Sequence, residues 1–433
     1  MENDRYAIDI IAKKRDAKVL SQREIDWFVR GIVSGKIPDY QTSALLMAIF
    51  LNGMDMDETL ALTKSMIESG ERLNLPISRP RFDKHSTGGV GDKVSLILAP
   101  LVASCGIAIP MLSGRSLGYT GGTLNKLESI PGMKVCLSVE EIEKGVKDMG
   151  MVIAGQTEKI APVDRKIYHL RDEMGTVESI PLITSSILSK KLSEDITGLI
   201  LDVKVGKGAF MKTMENARAL AESITQIAKE MGIKIKAFIT NMNVPLGNAV
   251  GTGVEVYETL KILKGEEYPL GLMEVTLALS QAIIDLAGFR EIDLTEKIRD
   301  RSAFKKFREF TEFQGGDVSY VDTPEKLIEN CLREAIVADR GAFVVEMDTE
   351  RIGKIAVDTE KVSPGIIFHK KVGDWVDKGD PLATIFWKKD IKQDSGLQGN
   401  FAHYIQNIKD AIFSAYEFGP DALPREKMII DRL

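Results

Sequence analysis

The apolar positions at the start of the chain recur at helical spacing. Between Ser21 and Gly35, Ile25, Phe28, Val29 and Ile32 form one apolar stripe, Ser21 and Glu24 are placed as a capping box, and Gly35 stops the run. Tyr40 to Asn52 and Asp57 to Ser69 follow as two more helical stretches, joined around Gly53. After Pro80 the pattern changes to short apolar runs: Ile107 to Leu112, Met151 to Ala154, Gly198 to Val203 and Lys236 to Ile239. Helical stretches such as Glu215 to Met231 lie between them, and this alternation predicts a mostly parallel α/β sheet.

Asp164 to Leu192 is helical again and interrupts the alternation, as a return excursion to the first domain would. From Gly341 short β elements appear, Gly341 to Met347 and Ile366 to Ile385, before a helix from about His403 to Tyr416. The expected fold class is therefore a multidomain α/β and α+β chain. It has a small all-helical domain, a larger mixed α/β domain with a central, mostly parallel sheet, and a C-terminal α+β subdomain. The boundaries expected are 1–70 and 163–194 for the helical domain, 71–162 and 195–335 for the α/β domain, and 336–433 for the subdomain.

A length of 433 residues with 44% hydrophobic and 28% charged residues supports more than one full core. The net charge of -6 has the wrong sign for a chain whose main partner is a nucleic acid backbone, so any phosphate is bound locally. No run approaches the roughly 20 uncharged apolar residues of a membrane helix, and no signal-peptide pattern opens the chain, so a cytoplasmic protein with no membrane partner is expected. Cys105, Cys136 and Cys331 lack metal-ligand spacing and are expected as buried structural thiols.

The chemistry concentrates in two loops. Asp83-Lys84-His85-Ser86-Thr87-Gly88-Gly89-Val90-Gly91-Asp92-Lys93-Val94-Ser95 runs into an apolar helix. Glycines let backbone N–H groups approach an anion, the helix start supplies unpaired donors, and Lys84 supplies a charge. A second loop of similar composition, Ser113 to Glu128, follows the next strand, so the pair could grip one anion from two sides. Each loop alone is also readable as a glycine-dependent turn with capping hydroxyls. His85 alone is readable as a capping or core histidine, and Arg171 and Lys190 as members of surface ion pairs.

The runs Lys84 to Asp92 and Ser113-Gly114-Arg115 with Thr120-Gly121-Gly122-Thr123 resemble the thymidine and pyrimidine nucleoside phosphorylase family. The resemblance continues through Ala154-Gly155-Gln156-Thr157, Leu170-Arg171-Asp172, Ser179-Ile180-Pro181-Leu182-Ile183, Lys190-Lys191, Leu201 to Gly206 and Gly208 to Met211. It implies that inorganic phosphate, the co-substrate, is held by Lys84, His85, Ser86, Ser95, Ser113 and Thr123. It also implies that Arg171, Ser186, Lys190 and Tyr168 contact the pyrimidine nucleoside, with His85, Arg171 and Lys190 catalytic. The reaction implied is reversible phosphorolysis of thymidine, uridine or deoxyuridine to free base and α-(deoxy)ribose 1-phosphate, with inversion at C1' and no organic cofactor. Positive charge develops on the sugar and negative charge on the base in such a reaction, and both need partners. The pyrimidine residues fall in the helical domain and the phosphate residues in the α/β domain, so closure of a cleft would assemble the site.

Some relatives bind potassium through backbone oxygens and a glutamate. The matching positions are Gly91, Lys93, Leu246, Ala249 and Glu258, with Lys93 where threonine is common. Its ammonium would either project away and leave the carbonyl to potassium, or itself replace the ion beside Glu258. Further departures are Tyr119 in place of histidine, Asn125 in place of aspartate, the segment 172–176, and a shortened stretch around Ile355 to Pro364. The first three fall near the base and sugar positions that the resemblance implies, and the shortened stretch suggests a changed lid or dimer contact.

Alternatives are a phosphoribosyltransferase of related architecture, a catalytically altered paralogue that binds nucleoside, and a carrier module suggested by Gly373 to Leu382. The resemblance also implies a homodimer through the helical domain. For that interface the stripe Ile25, Phe28, Val29 and Ile32 competes with an equal reading as monomer core.

Overall fold

The computed structural model describes residues 2–115, 118–157, 159–389 and 401–433, so Ser116 and Leu117 of the second glycine-rich loop lie outside the described residues. The chain opens with α1 (Glu2–Arg15), α2 (Gln22–Val33), α3 (Asp39–Asn52) and α4 (Met56–Glu68). The capping box expected at Ser21 is present, with Ser21 Oγ accepting from the Glu24 N–H and the Glu24 carboxylate accepting from the Ser21 N–H. An α/β segment follows: β1 (Phe82–Ser86), α5 (Val94–Ala103), β2 (Ile109–Ser113), α6 (Thr123–Leu127), α7 (Val139–Met149) and β3 (Met151–Gly155). Helices α8 (Pro162–Met174) and α9 (Ile180–Leu192) then return to the first domain.

The α/β domain resumes with β4 (Gly198–Val205), α10 (Met214–Glu230), β5 (Lys234–Asn241), β6 (Ala249–Gly251), α11 (Gly253–Leu263) and α12 (Leu270–Leu286). Short helices α13 (Leu294–Arg299), α14 (Ser302–Phe313) and α15 (Ser319–Asp322) complete it. The C-terminal part contains β7 (Cys331–Val337), β8 (Ala342–Met347), α16 (Thr349–Asp358), β9 (Gly365–Phe368), β10 (Trp375–Val376), β11 (Pro381–Lys388), α17 (Phe401–Phe413), β12 (Tyr416–Gly419) and β13 (Ile429–Arg432).

Helices α8 and α9 pack on the first four. Val163, Ile167, Leu170 and Leu182 of α8 and α9 share one core with Ile25, Phe28, Val29 and Ile32 of α2. The α2 stripe is thus 2–4% exposed inside one chain, and is not an interface. The apolar residues left on the surface of this domain are others: Ile8, Tyr40, Phe50 and Leu51 on α1 and α3.

The parallel sheet is split. Strands β1, β4 and β5 pair in parallel with β13 added antiparallel to β5, while β2 and β3 form a separate parallel pair. A single parallel bridge, Arg81 to Ala108, links the two. Strand ends are level, since Ser86 pairs with Asp202 and Ser113 with Gly155, so both glycine-rich loops leave the same end of the sheet.

The C-terminal sheets are antiparallel, ordered β6-β9-β11-β7 and β10-β8-β12. Strand β7 begins before the expected boundary at 336 and β6 comes from the α/β segment, whereas β13 leaves the subdomain for the α/β sheet. The carrier-like hairpin sequence is absorbed here: Val376 and Leu382 are core residues of this unit. The cysteines depart from expectation, with Cys136 exposed and Cys105 and Cys331 half-buried. No helix among the described residues is long and apolar enough to cross a membrane.

Candidate active site

Lys84 lies on β1 with its side chain buried, and its Nζ is 3.5 Å from Ser95 Oγ at the first turn of α5. It is also 3.4 Å from Asp202 Oδ2 and 3.8 Å from Asp92 Oδ2, both longer than tight ion pairs. Ser86 Oγ donates to Asp92 Oδ2 at 2.6 Å and accepts from the Gly88 N–H at 3.1 Å. Gly88 and Gly91 take φ of +85° and +76°, a region open to glycine, which lets the loop fold back towards α5.

Beneath the loop, Asp202 accepts from Thr240 Oγ1 at 2.6 Å and pairs with Lys204 Nζ at 2.6 Å. Burial opposes the charge of Asp92, but Lys204, Lys84 and Lys126 together outweigh it and hold that carboxyl far below its usual range.

Ser113 ends β2 and Thr123 begins α6, so both hydroxyl residues of the second loop sit at element termini. The buried Lys126 joins the loops: its Nζ donates to the Asp92 carbonyl at 2.6 Å and pairs with Glu255 Oε2 at 2.7 Å.

From the helical domain, Lys190 on α9 donates to Ser186 Oγ at 2.8 Å and to Asp164 Oδ2 of α8 at 2.6 Å. Arg171 is 1% exposed, and its guanidinium donates to the Thr176, Val177 and Leu182 carbonyls between and within α8 and α9. In this conformation it braces the α8–α9 connection. The Tyr168 ring lies 6.0 Å from the Arg171 guanidinium, and burial followed by Asp172 pushes its hydroxyl up to about 12.

His85 is where the domains meet. Burial first, then the charges of Lys191, Lys190 and Lys84, push its imidazole well below the usual histidine value, so it is neutral near pH 7. Lys191 itself pairs with Asp83, with Glu194 at 2.9 Å and with the Leu112 carbonyl at 2.7 Å, fastening α9 to β1 and β2.

Matches to family models cover most of the chain. Residues 8–70 match the glycosyl transferase family helical bundle domain, residues 78–297 its a/b domain, and residues 343–401 the pyrimidine nucleoside phosphorylase C-terminal domain. A pyrimidine-nucleoside phosphorylase of Staphylococcus epidermidis is 43% identical over 395 residues, 87% of this chain and 91% of the relative. The chain belongs to the pyrimidine-nucleoside phosphorylase family.

A family member of the same name from Staphylococcus haemolyticus is 44% identical over 396 residues, again 87% and 91% of the two chains. Among solved structures, anthranilate phosphoribosyltransferase from Thermus thermophilus superposes with a TM-score of 0.54 at 19% identity, covering 71% of this chain and 99% of that one, a likeness of fold.

Two features of this family member were not legible beforehand. Asp202 and Lys204 sit on a strand buried along its whole length. Charges in such a strand are costly unless paired, so Asp-Val-Lys within an apolar run was the available signal. Tyr119 stacks on Phe210 with ring centroids 5.7 Å apart and donates to the Ala209 carbonyl at 2.7 Å. Lys212, paired with Glu350 of α16, donates to the Tyr119 hydroxyl at 2.9 Å, so the departure from histidine ties the second loop to the C-terminal unit.

Four of the five residues matched to a potassium site, Gly91, Leu246, Ala249 and Glu258, bring an oxygen to one point, and Lys93 Nζ lies there, while the Lys93 carbonyl accepts from the Leu96 N–H. The Nζ is 2.8 Å from the Gly91 carbonyl, 2.8 Å from Leu246, 3.0 Å from Ala249 and 2.9 Å from Glu258 Oε2. Of the two orientations expected for this side chain, the ammonium takes the one directed at Glu258.

Proposed function

We propose that this chain catalyses reversible phosphorolysis of pyrimidine nucleosides, a pentosyl transfer to inorganic phosphate that needs no organic cofactor. The observation that carries this reading is two donor sets on facing domains, Lys84 with Ser95 at 3.5 Å in the α/β domain and Lys190 with Ser186 at 2.8 Å in the helical domain, as a phosphate and a pyrimidine would need. Phosphate bound at Lys84, Ser86, Ser95, Ser113 and Thr123 faces C1' of the sugar. One of its oxygens forms the new bond to C1' as the C1'–N1 bond breaks on the opposite face, and the bonding pair leaves with the base. Inversion gives the α-sugar 1-phosphate.

The departing base carries its negative charge on the ring carbonyl oxygens, and Lys190 with Ser186 supplies donors there. Neutral His85 offers one ring N–H as a donor to the same region. Arg171 reaches the base if the Thr176 to Leu182 segment rearranges around it; in its present contacts it positions the α8–α9 connection. A phosphoribosyltransferase reading rests only on fold likeness at 19% identity.

The enzyme works as a cytoplasmic homodimer in this reading. The exposed Ile8, Tyr40, Phe50 and Leu51 of α1 and α3 offer the apolar face that a second copy would cover.

The test is incubation of the purified protein with thymidine, uridine and deoxyuridine, with and without inorganic phosphate, followed by chromatography of free base and sugar 1-phosphate. Base release that depends on phosphate supports the reading and ranks the substrates. Absence of release from all three overturns it in favour of an altered paralogue.

A further inference from the structure

We propose that Lys93 is a tethered monovalent cation: its ammonium ties the first glycine-rich loop to the Pro245–Ala249 segment and to Glu258, so that the enzyme requires no potassium ion. The proposal rests on the phosphorylase reading for its catalytic consequence, but its structural part stands on geometry alone. Three backbone carbonyls and one carboxylate oxygen surround Lys93 Nζ at 2.8–3.0 Å. Carbonyls turned inward with a carboxylate form a hard oxygen set suited to a cation, and a lysine ammonium carries the same single charge as an alkali ion.

The backbone is built for this convergence. A Cβ on Gly91, at φ +76°, would lie 2.6 Å from the Leu246 carbonyl oxygen, and a Cβ on Gly247, at φ +74°, would lie 2.6 Å from both Lys93 Nζ and Glu258 Oε2. Glu258 completes the arrangement with its second function, accepting from the Asn248 N–H at 2.6 Å and the Ala249 N–H at 3.0 Å. A metal ion and the ammonium cannot share this centre, because each would take the same four oxygens.

The centre itself is buried, with the Lys93 and Glu258 side chains 0% and 3% exposed. A cleft of about 1190 Å³ opens between the Pro245–Ala249 segment and the C-terminal unit, and Glu258 is among its lining residues. Exclusion falls to Lys93. Its neighbour in sequence, Asp92, accepts from Ser86 and faces Lys84, so the same backbone segment that supplies the Gly91 carbonyl also orders the phosphate loop. Lys93 is therefore a positioning residue, acting on phosphate through Gly91 and Asp92.

The experiment compares wild type with Lys93→Thr in potassium chloride and in tetramethylammonium chloride at equal ionic strength. Thermal unfolding and phosphorolysis rate are both recorded. Wild type is expected to unfold at the same temperature and to turn over within about twofold in the two salts. Lys93→Thr is expected to unfold lower in tetramethylammonium chloride and to recover by about 3 °C or more in potassium chloride, as an ion binding only the folded state requires. Its KM for phosphate should fall in parallel.

A wild-type melting temperature or rate that rises specifically with potassium overturns the proposal. So does a folded Lys93→Thr protein whose melting temperature responds to potassium no more than wild type does. If Lys93→Thr does not fold in either salt, the wild-type comparison decides. The unfolding arm needs no turnover, so an inactive protein with the expected ion response would sink the phosphorylase reading and leave the tethered cation standing.

Discussion

Lys84 Nζ lies 3.4 Å from Asp202 Oδ2, and that same carboxylate oxygen is held at 2.6 Å by Lys204. Asp202 is therefore committed chiefly to Lys204, and Lys84 is its weaker partner. In the proposed site, a phosphate that took Lys84 would not strand a bare carboxylate in a buried position, since Lys204 stays behind to neutralise it.

Lys84→Met is expected to lower kcat/KM for phosphate by roughly 100–1,000-fold while leaving nucleoside affinity within a small factor. Asp202→Asn is expected to lose about 3–5 kcal/mol of stability, because it leaves Lys204 buried beside a neutral amide. Steady-state kinetics and urea unfolding separate the two. Equal loss of phosphate and nucleoside affinity in Lys84→Met would contradict the assignment.

Domain closure is expected from the placement of Lys190 on one domain and Lys84 on the other. The chain crosses between the domains near Gly70, Ala161 and Asp195. Ala161 and Asp195 are non-glycine residues at φ of +45° and +57°, a sparsely populated region that persists only where surrounding structure enforces it. Small-angle scattering with phosphate and nucleoside both bound should show a smaller radius of gyration than either ligand alone produces. An unchanged radius would refute closure.

A pH dependence follows from Lys371. Its Nζ donates to the Pro245 carbonyl at 2.7 Å and the Gly247 carbonyl at 2.5 Å. Burial, opposed by Glu258 and Asp374 and assisted by Lys93 and Arg425, moves the ammonium from 10.5 down to about 8. Between those values the unfolded chain holds the proton and the folded chain has released it, so the unfolded state binds more protons and stability rises with pH. Below pH 8 both states are charged and the term is flat. The difference in unfolding free energy between wild type and Lys371→Met should therefore grow in favour of wild type from pH 8 to pH 10; a difference that shrinks would refute the assignment.

Leu51 is 72% exposed and Tyr40 74% exposed, and both lie on the α3 face that a second copy would cover in the proposed dimer. Leu51→Glu combined with Tyr40→Ser should convert a dimer to a monomer in sedimentation equilibrium without altering the far-ultraviolet circular dichroism. A wild-type protein that sediments as a monomer would refute the dimer.

Much of this protein was written locally. The 3.6-residue stripe of α2, the capping box at Ser21 and Glu24, and the alternation of apolar runs with helices all follow from short-range periodicity and backbone chemistry. The two glycine-rich loops and the runs around Arg171, Lys190 and Asp202 carried the resemblance to the family, which the matches over most of the chain bear out. The partners of those residues were not legible. Lys93 meets Leu246 and Ala249, Lys126 meets Glu255, and Lys191 meets Asp83, each across a long stretch of chain. Periodicity tells which face of an element turns inward but not what it meets there, and a charge buried at 2.8 Å from an oxygen differs from one pointing at solvent only through three-dimensional placement. For the same reason the sequence left the α2 stripe open between core and interface, and left Lys93 open between turning away and pointing at Glu258. Tertiary packing decided both, since burial and the distance between side chains remote in sequence exist only once the chain has folded.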